Sequence, residues 1–94
     1  MSNQWSISAS FSWNDFQHIR VYGLKPDGTI VEWQYDGSWT GPSVLGPKAD
    51  PGTTLAVVHT ENNSGVHIRL YYHADGRIKE LAYENGWVPG SILP

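Results

Sequence analysis

An internal repeat is the feature of this sequence that most constrains its fold. The segment His18–Tyr22, HIRVY, returns as HIRLY at His67–Tyr71, an offset of 49 residues. Behind these segments, GTIVEWQYDGSW at 28–39 matches GRIKELAYENGW at 76–87, at an offset of 48 residues. One unit of roughly 48 residues is therefore written twice in the chain of 94. A period of this size is typical of solenoids, propellers and arrays.

Composition argues against several classes of partner. The chain has no cysteine, which excludes disulfides and thiolate metal sites. Its net charge is −3 with only six Lys and Arg and no basic cluster, which argues against binding to nucleic acid or to an anionic membrane. No apolar run is long enough to span a membrane and the first residues do not resemble a signal peptide, so we expect a soluble protein of unknown compartment. Five Trp and five Tyr must fill a core or form a binding surface.

Short alternating segments separated by turns predict an all-β chain without helices. The strands expected in the first unit are Ser6–Trp13, Gln17–Leu24, Ile30–Tyr35 and Trp39–Leu45. Those expected in the second unit are Thr54–Thr60, Val66–His73, Ile78–Tyr83 and Trp87–Leu93. The connector 46–52 is rich in Pro and Gly and is interpreted as a boundary between repeats. We therefore expect one domain, 1–94, with repeats at 5–46 and 53–94.

Four antiparallel strands in a unit of this length match one blade of a β-propeller. A propeller needs about four to eight blades to close, so two blades must assemble with copies of themselves. A dimer, a trimer and a tetramer would all close a ring. A single eight-stranded β-sandwich is the alternative that the strand pattern also permits.

Two turn types predict the strand register. Pro26-Asp27-Gly28 fits a three-residue hairpin loop with Gly in the bulge position, which would pair Tyr22 with Glu32. Asp75-Gly76 fits a two-residue type I′ turn, which would pair Tyr71 with Glu80. The two units then agree, and each Arg of the Ile-Arg motif shares a sheet face with a Glu.

Side-chain parity places an aromatic on the opposite face of each unit. Tyr35 lies three residues beyond Glu32, and Tyr83 lies three beyond Glu80, so both point away from Arg and Glu. In a ring of blades, each junction would combine one guanidinium, one carboxylate held by it and one aromatic platform. Such a pocket suits a neutral sugar, because hydroxyls need charged partners and the C–H face needs an aromatic ring. The alternative is that Arg20–Glu32 and Arg69–Glu80 are structural ion pairs and that Trp39 and Trp87 are core.

The ordered elements Ile-Arg-x-Tyr, Gly-x-Ile-x-Glu, aromatic-Asp-Gly, Trp and Gly resemble the blade motif of the fungal and bacterial fucose-binding lectins. This is the family of the Aleuria aurantia lectin, with two-blade bacterial members in Ralstonia and Burkholderia. The resemblance covers both units and implies a six-bladed propeller completed by three chains. It also implies L-fucose and fucosylated glycans as ligands, bound without metal, cofactor or catalysis.

The resemblance implies two sites, each with Arg and Glu from one blade and two aromatics from the next. The intrachain site would comprise Arg20, Glu32, Tyr83 and Trp87. The interchain site would comprise Arg69, Glu80, and Tyr35 and Trp39 of a neighbouring chain. Thr60 stands where the first unit has Trp13, so we expect the two sites to be inequivalent.

Two other functions stay open from the residues alone. A propeller of this kind could be a non-catalytic module that binds protein. A glycosidase would need two carboxylates across one sugar, and only Asp36 and Glu84 could be the second acid. The histidines His18, His59, His67 and His73 form no recognisable metal spacing, so satisfied or exposed histidines are the preferred interpretation.

Overall fold

The computed structural model describes residues 4–94, and these form eight strands in two antiparallel sheets. The first sheet has the order β1-β2-β3-β4, with β1 Ser6–Trp13, β2 His18–Leu24, β3 Thr29–Tyr35 and β4 Trp39–Lys48. The second has the order β5-β6-β7-β8, with β5 Ala56–Asn62, β6 Gly65–Ala74, β7 Arg77–Tyr83 and β8 Trp87–Ile92. The predicted all-β chain of two four-stranded units is confirmed. No helix within 4–94 is long and apolar enough to cross a membrane.

Several strand ends differ from the expected ones. β2 begins at His18, because the Gln17 N–H closes a turn on the Asn14 carbonyl at 3.1 Å. β4 continues to Lys48, which pairs with Thr29, so the first sheet extends past residue 46. β5 begins only at Ala56, because backbone N–H groups of the segment before it form hydrogen bonds outside the strand pairing of the sheet.

Both hairpins adopt the predicted register, with Tyr22 opposite Glu32 and Tyr71 opposite Glu80. In the first hairpin Gly28 has a φ of 91° and its N–H donates to Lys25 O at 2.9 Å, as a bulged three-residue loop requires. In the second, Asp75 and Gly76 have φ values of 55° and 73°, the two positive values of a type I′ turn. The turn residues therefore set which side chains face each other in the site.

The core lies between the two sheets, which converge along β1 and β5. Tyr22, Leu24 and Ile30 come from the Arg20 face of the first sheet. Leu70 and Leu81 come from the Tyr83 face of the second. The Arg/Glu face of one unit thus packs against the aromatic face of the next, as side-chain parity requires.

Candidate functional site

A cavity of about 100 Å³ lies between the two sheets. The residues that line it are Arg20, Glu32 and Gln34 of the first sheet and Val66, Ile68 and Tyr83 of the second. Trp87 lies beside it, with its ring centroid 5.3 Å from that of Tyr83 and 6.0 Å from that of Tyr22. The four residues of the expected intrachain site are therefore close together.

Glu32 is the buried acid of this cavity, with only 3% of its surface exposed. Its Oε2 accepts a hydrogen bond of 2.6 Å from the Tyr22 hydroxyl, and its Oε1 accepts one of 2.8 Å from the Gln34 amide. Burial, together with the Glu32 carboxylate, raises the pKa of Tyr22, so this hydroxyl remains a donor. Each carboxylate oxygen is thus fixed and retains a lone pair for a further donor.

The expectation that Arg20 holds Glu32 is wrong. The Arg20 guanidinium instead binds Asp36 through two hydrogen bonds of 3.0 and 3.2 Å, and it donates to the Ile19 carbonyl at 2.9 Å. It also lies 4.9 Å from the ring centroid of Trp13. These contacts leave the Arg20 side chain 11% exposed and fix its orientation.

The strand register allows Arg20 to pair with either of two carboxylates. Arg20 lies directly opposite Gln34, so Glu32 and Asp36 are both its diagonal neighbours on one face. Glu32 lies opposite Tyr22 and is engaged by its hydroxyl, which leaves Asp36 for the guanidinium. Side-chain parity places both Glu32 and Asp36 near Arg20 and does not determine which of them it binds.

The second sheet repeats this arrangement with different residues, and the expected Arg69–Glu80 pair is wrong for the same reason. Arg69 donates to Glu84 at 2.6 Å and to the Ile68 carbonyl at 2.9 Å. Glu80 accepts from the Ser91 N–H at 3.0 Å and from the Tyr71 hydroxyl at 2.8 Å.

These bonds shift the pKa values of three carboxyl groups. The Ser91 N–H, followed by the Tyr71 hydroxyl, lowers the pKa of Glu80. The Arg69 guanidinium, followed by His67, lowers the pKa of Glu84. Burial opposes the ionisation of Asp36, but hydrogen bonds from His18 and Arg20 outweigh it and lower its pKa.

Two histidines complete these networks. His18 Nδ1 lies 2.6 Å from Asp36 Oδ1, and His67 Nδ1 bonds to Glu84. Each histidine therefore shares a carboxylate with the arginine of its own sheet. The part of the chain that the structure describes holds no group of three or more His, Cys, Asp or Glu arranged to bind a metal.

The residues of the expected interchain site lie on the two outer faces and do not meet within one chain. Arg69 and Glu80 occupy the face of the second sheet that points away from the first, and Arg69 is 38% exposed. Tyr35 and Trp39 occupy the outer face of the first sheet, with their ring centroids 5.3 Å apart and Trp39 55% exposed. The Tyr83–Trp87 pair has the same separation, so each outer face carries one half of a similar site.

Sequence reasoning missed Gln34 and the carboxylate partners of the arginines. The predicted register already placed Tyr22 against Glu32, which was the available signal for their hydrogen bond. It also implied Gln34 opposite Arg20. The counterpart of Gln34 is Ala82, which lies opposite Arg69, so the two halves differ by one amide in the position next to the acid.

Comparisons with known proteins agree with these features. Residues 3–92 match the family model for fungal fucose-specific lectins. The fucose-specific lectin of Aspergillus fumigatus is 33% identical over 85 residues, which cover 83% of this chain and 26% of that protein. The fucose-specific lectin of Aleuria aurantia is 25% identical over 91 residues, which cover 92% of this chain and 29% of that protein.

Two solved lectin structures are similar in fold. A mutant Aleuria aurantia lectin in complex with Fucα1-6GlcNAc gives a TM-score of 0.78 at 32% identity, over 92% of this chain and 30% of that one. The SapL1 lectin in complex with α-methyl fucoside gives a TM-score of 0.73 at 28% identity, over 97% of this chain and 31% of that one. Both are β-propellers, so the two sheets are propeller blades and the sandwich alternative is wrong. The chain spans less than a third of each of these relatives, and it belongs to the fungal fucose-specific lectin family.

Proposed function

We propose that this chain binds L-fucose and fucosylated glycans in pockets between neighbouring blades and catalyses no reaction. The observation that carries the proposal is the cavity in which Arg20, Glu32 and Gln34 of one blade face Tyr83 of the next. The family and the fucose-containing complexes of two relatives support the choice of sugar.

The groups around the cavity match the two kinds of surface on fucose. Adjacent hydroxyls can donate to the free lone pairs of Glu32 and accept from Arg20, whose guanidinium has five N–H donors. The methyl group and ring C–H bonds can pack on Tyr83 and Trp87. Because Glu32 and Arg20 are already held by other residues, little ordering remains to be done on binding.

The acids of the cavity support binding rather than hydrolysis. A glycosidase needs two carboxyl groups about 5 to 9.5 Å apart on either side of the sugar. Glu32 is the single acid among the described residues that line the cavity. Asp36, the nearest alternative, is paired with Arg20 and His18 and so is not a free acid or nucleophile.

A glycan array tests the proposed function. We expect the labelled protein to bind glycans that carry terminal fucose and to leave matched glycans without fucose unbound. Free α-methyl fucoside should compete this signal away. Equal binding to fucosylated and non-fucosylated glycans, or none to either, would contradict the proposal.

We further propose that copies of the chain close the ring as a homotrimer with an interchain site at each subunit junction. At the junction inside the chain Glu32 is buried and Trp87 is half-buried. Their counterparts on the outer faces are more open: the Arg69 side chain is 38% exposed against 11% for Arg20, and Trp39 is 55% exposed. Val58, which lies opposite Arg69, is also exposed. A second copy of the chain would cover these groups if it packed against this outer face as the first blade packs against the second within one chain. It would then complete the interchain site.

Native mass spectrometry should therefore detect a particle of three times the 10.5 kDa chain mass. Its formation has a physical cause, because each added junction buries aromatic and apolar groups that the single chain exposes. A chain that stays monomeric at micromolar concentration would contradict the closed ring.

The pKa shifts of the second blade predict how binding responds to acid. Glu80 and Glu84 have pKa values below the ordinary value of 4.5, so the ionised forms stabilise the folded blade above that pH. This contribution is lost as pH falls through the lowered values. We expect fucose binding and the folded state to be unchanged from pH 7 to about pH 5 and to decline below pH 4.5.

Titration of α-methyl fucoside at a series of pH values measures this decline. Glu84→Gln removes one of the titrating groups and should make the decline shallower. A loss of binding centred near pH 6.5 would instead identify histidine as the controlling group and would contradict the prediction.

A further inference from the structure

The turn between β1 and β2 has an unusual backbone. Asn14, Asp15 and Phe16 have φ values of 57°, 54° and 65°, so three successive residues are left-handed. Asn14 closes the turn twice on Gln17, through its carbonyl at 3.1 Å and its side-chain amide at 2.7 Å. Asn and Asp tolerate this conformation, but for Phe it costs about 1–2 kcal/mol.

Packing within the chain does not offset that cost. The Phe16 side chain is 72% exposed, the highest value among the large apolar residues that the structure describes as exposed. The equivalent turn of the second sheet is the shorter Asn63-Ser64, which has no aromatic. Backbone strain of this kind persists mostly where the side chain it displays has a function.

Phe16 borders a second cavity, of about 400 Å³, at the end of the first sheet. The cavity combines two aromatic rings with two carboxylates, an amide and an imidazole, because Phe16 is joined in its lining by Asp15, Gln17, His18, Tyr35 and Asp36. Tyr35 is also one of the two aromatics proposed for the interchain fucose site. His18 and Asp36 belong to the network that holds Arg20. Of the residues proposed to bind fucose at either site, Tyr35 alone lines this cavity, which connects the cavity to the interchain site.

We propose that this cavity is a subsite for the sugar attached to the fucose in the interchain site. The inference rests on the proposed function, because Tyr35 must hold the fucose first. A neutral pyranose presents C–H groups that pack on Phe16, and hydroxyls that hydrogen-bond to Asp15 and Gln17. The interchain site then distinguishes fucosylated glycans by their second sugar, whereas the intrachain site lacks this contact.

Two single-site backgrounds separate the subsite from the fucose pockets. Arg20→Ala leaves only the interchain site, and Arg69→Ala leaves only the intrachain site. Phe16→Asn is added to each, because Asn tolerates a positive φ while removing the ring. The ligands are α-methyl fucoside and a panel of fucosylated disaccharides, including Fucα1-6GlcNAc, with binding measured by calorimetry.

In the Arg20→Ala background, Phe16→Asn should weaken the disaccharide that binds best by about three- to tenfold and leave α-methyl fucoside unchanged. In the Arg69→Ala background it should change neither. Arg77→Ala, which shortens an exposed side chain on β7 outside the cavity, should change neither ligand in either background.

Three results would overturn the subsite. In one, every disaccharide keeps its affinity after Phe16→Asn. In another, no disaccharide binds the interchain site more tightly than α-methyl fucoside does. In the third, Phe16→Asn lowers the unfolding midpoint and weakens both ligands, which would give the ring a structural role. Failure of the unmodified protein to bind α-methyl fucoside would refute the proposed function itself, independently of Phe16.

Discussion

Arg20→Ala should reduce the number of fucose sites from two per chain to one. Arg20 supplies charge-assisted hydrogen bonds in a cavity where its side chain is 11% exposed. Two such bonds contribute about 3 kcal/mol, so their loss should weaken the intrachain site by more than about 100-fold. Calorimetric titration with α-methyl fucoside would then detect only the interchain site.

Double substitutions test how the halves of each pocket pair. Trp87→Ala added to Arg20→Ala should cost little more, because both changes affect one pocket and are not additive. Trp39→Ala added to Arg20→Ala should abolish the remaining binding, because Trp39 belongs to the interchain site. Arg77→Ala removes an exposed arginine that does not line the cavity, and it is the control that should retain both sites.

One outcome would reverse the assignment of the two sites. If Arg20→Ala with Trp39→Ala leaves one intact site per chain, then Trp39 belongs to the pocket of Arg20. The pairing of Arg20 with Tyr83 across the cavity would then not be the arrangement that binds sugar.

Tyr22→Ala should be the most destabilising substitution in the first sheet. The Tyr22 side chain is fully buried, stacks on Phe11 at 6.2 Å and meets the edge of Trp87. Truncation of a buried aromatic costs about 3–5 kcal/mol, and here it also removes the hydroxyl that holds Glu32. Urea unfolding at fixed protein concentration measures the loss, since the concentration of an oligomer affects its stability.

Tyr22→Phe separates the hydroxyl from the ring. It keeps the packing and deprives Glu32 of one donor, so we expect a loss of about 1–3 kcal/mol and weaker fucose binding at the intrachain site. Tyr71→Phe is the matched change in the second sheet. Its cost should be smaller, because Tyr71 is only partly buried and Glu80 keeps the Ser91 N–H. A Tyr22→Ala protein within about 1 kcal/mol of the parent at the same concentration would contradict the role of this residue.

The repeat and the turns made most of the fold predictable. A strand register follows from loop length, and Gly28 and Gly76 identified both loops, so the facing of Tyr22 and Glu32 follows from the sequence alone. The parity of Tyr83 relative to Glu80 also followed, and with it the faces that meet in the core. Strand ends were less predictable, because Lys48 continues β4 through pairing that the Pro-rich connector does not indicate.

The partners within the site were harder to predict. Two acids are diagonal to Arg20, and only three-dimensional placement shows that Asp36 binds it while Tyr22 binds Glu32. The left-handed Phe16 could not be predicted either, because the rules for such positions favour Gly, Asn and Asp. Local sequence propensity determines neither the carboxylate that binds Arg20 nor the backbone conformation of Phe16.

Each junction between blades should bind one fucose. Calorimetric titration of α-methyl fucoside into the unmodified protein tests it most directly, because the stoichiometry counts junctions. We predict two sugars per chain, with micromolar affinity corresponding to about −8 kcal/mol. A single sugar per chain, or no heat of binding at millimolar ligand, would contradict the claim.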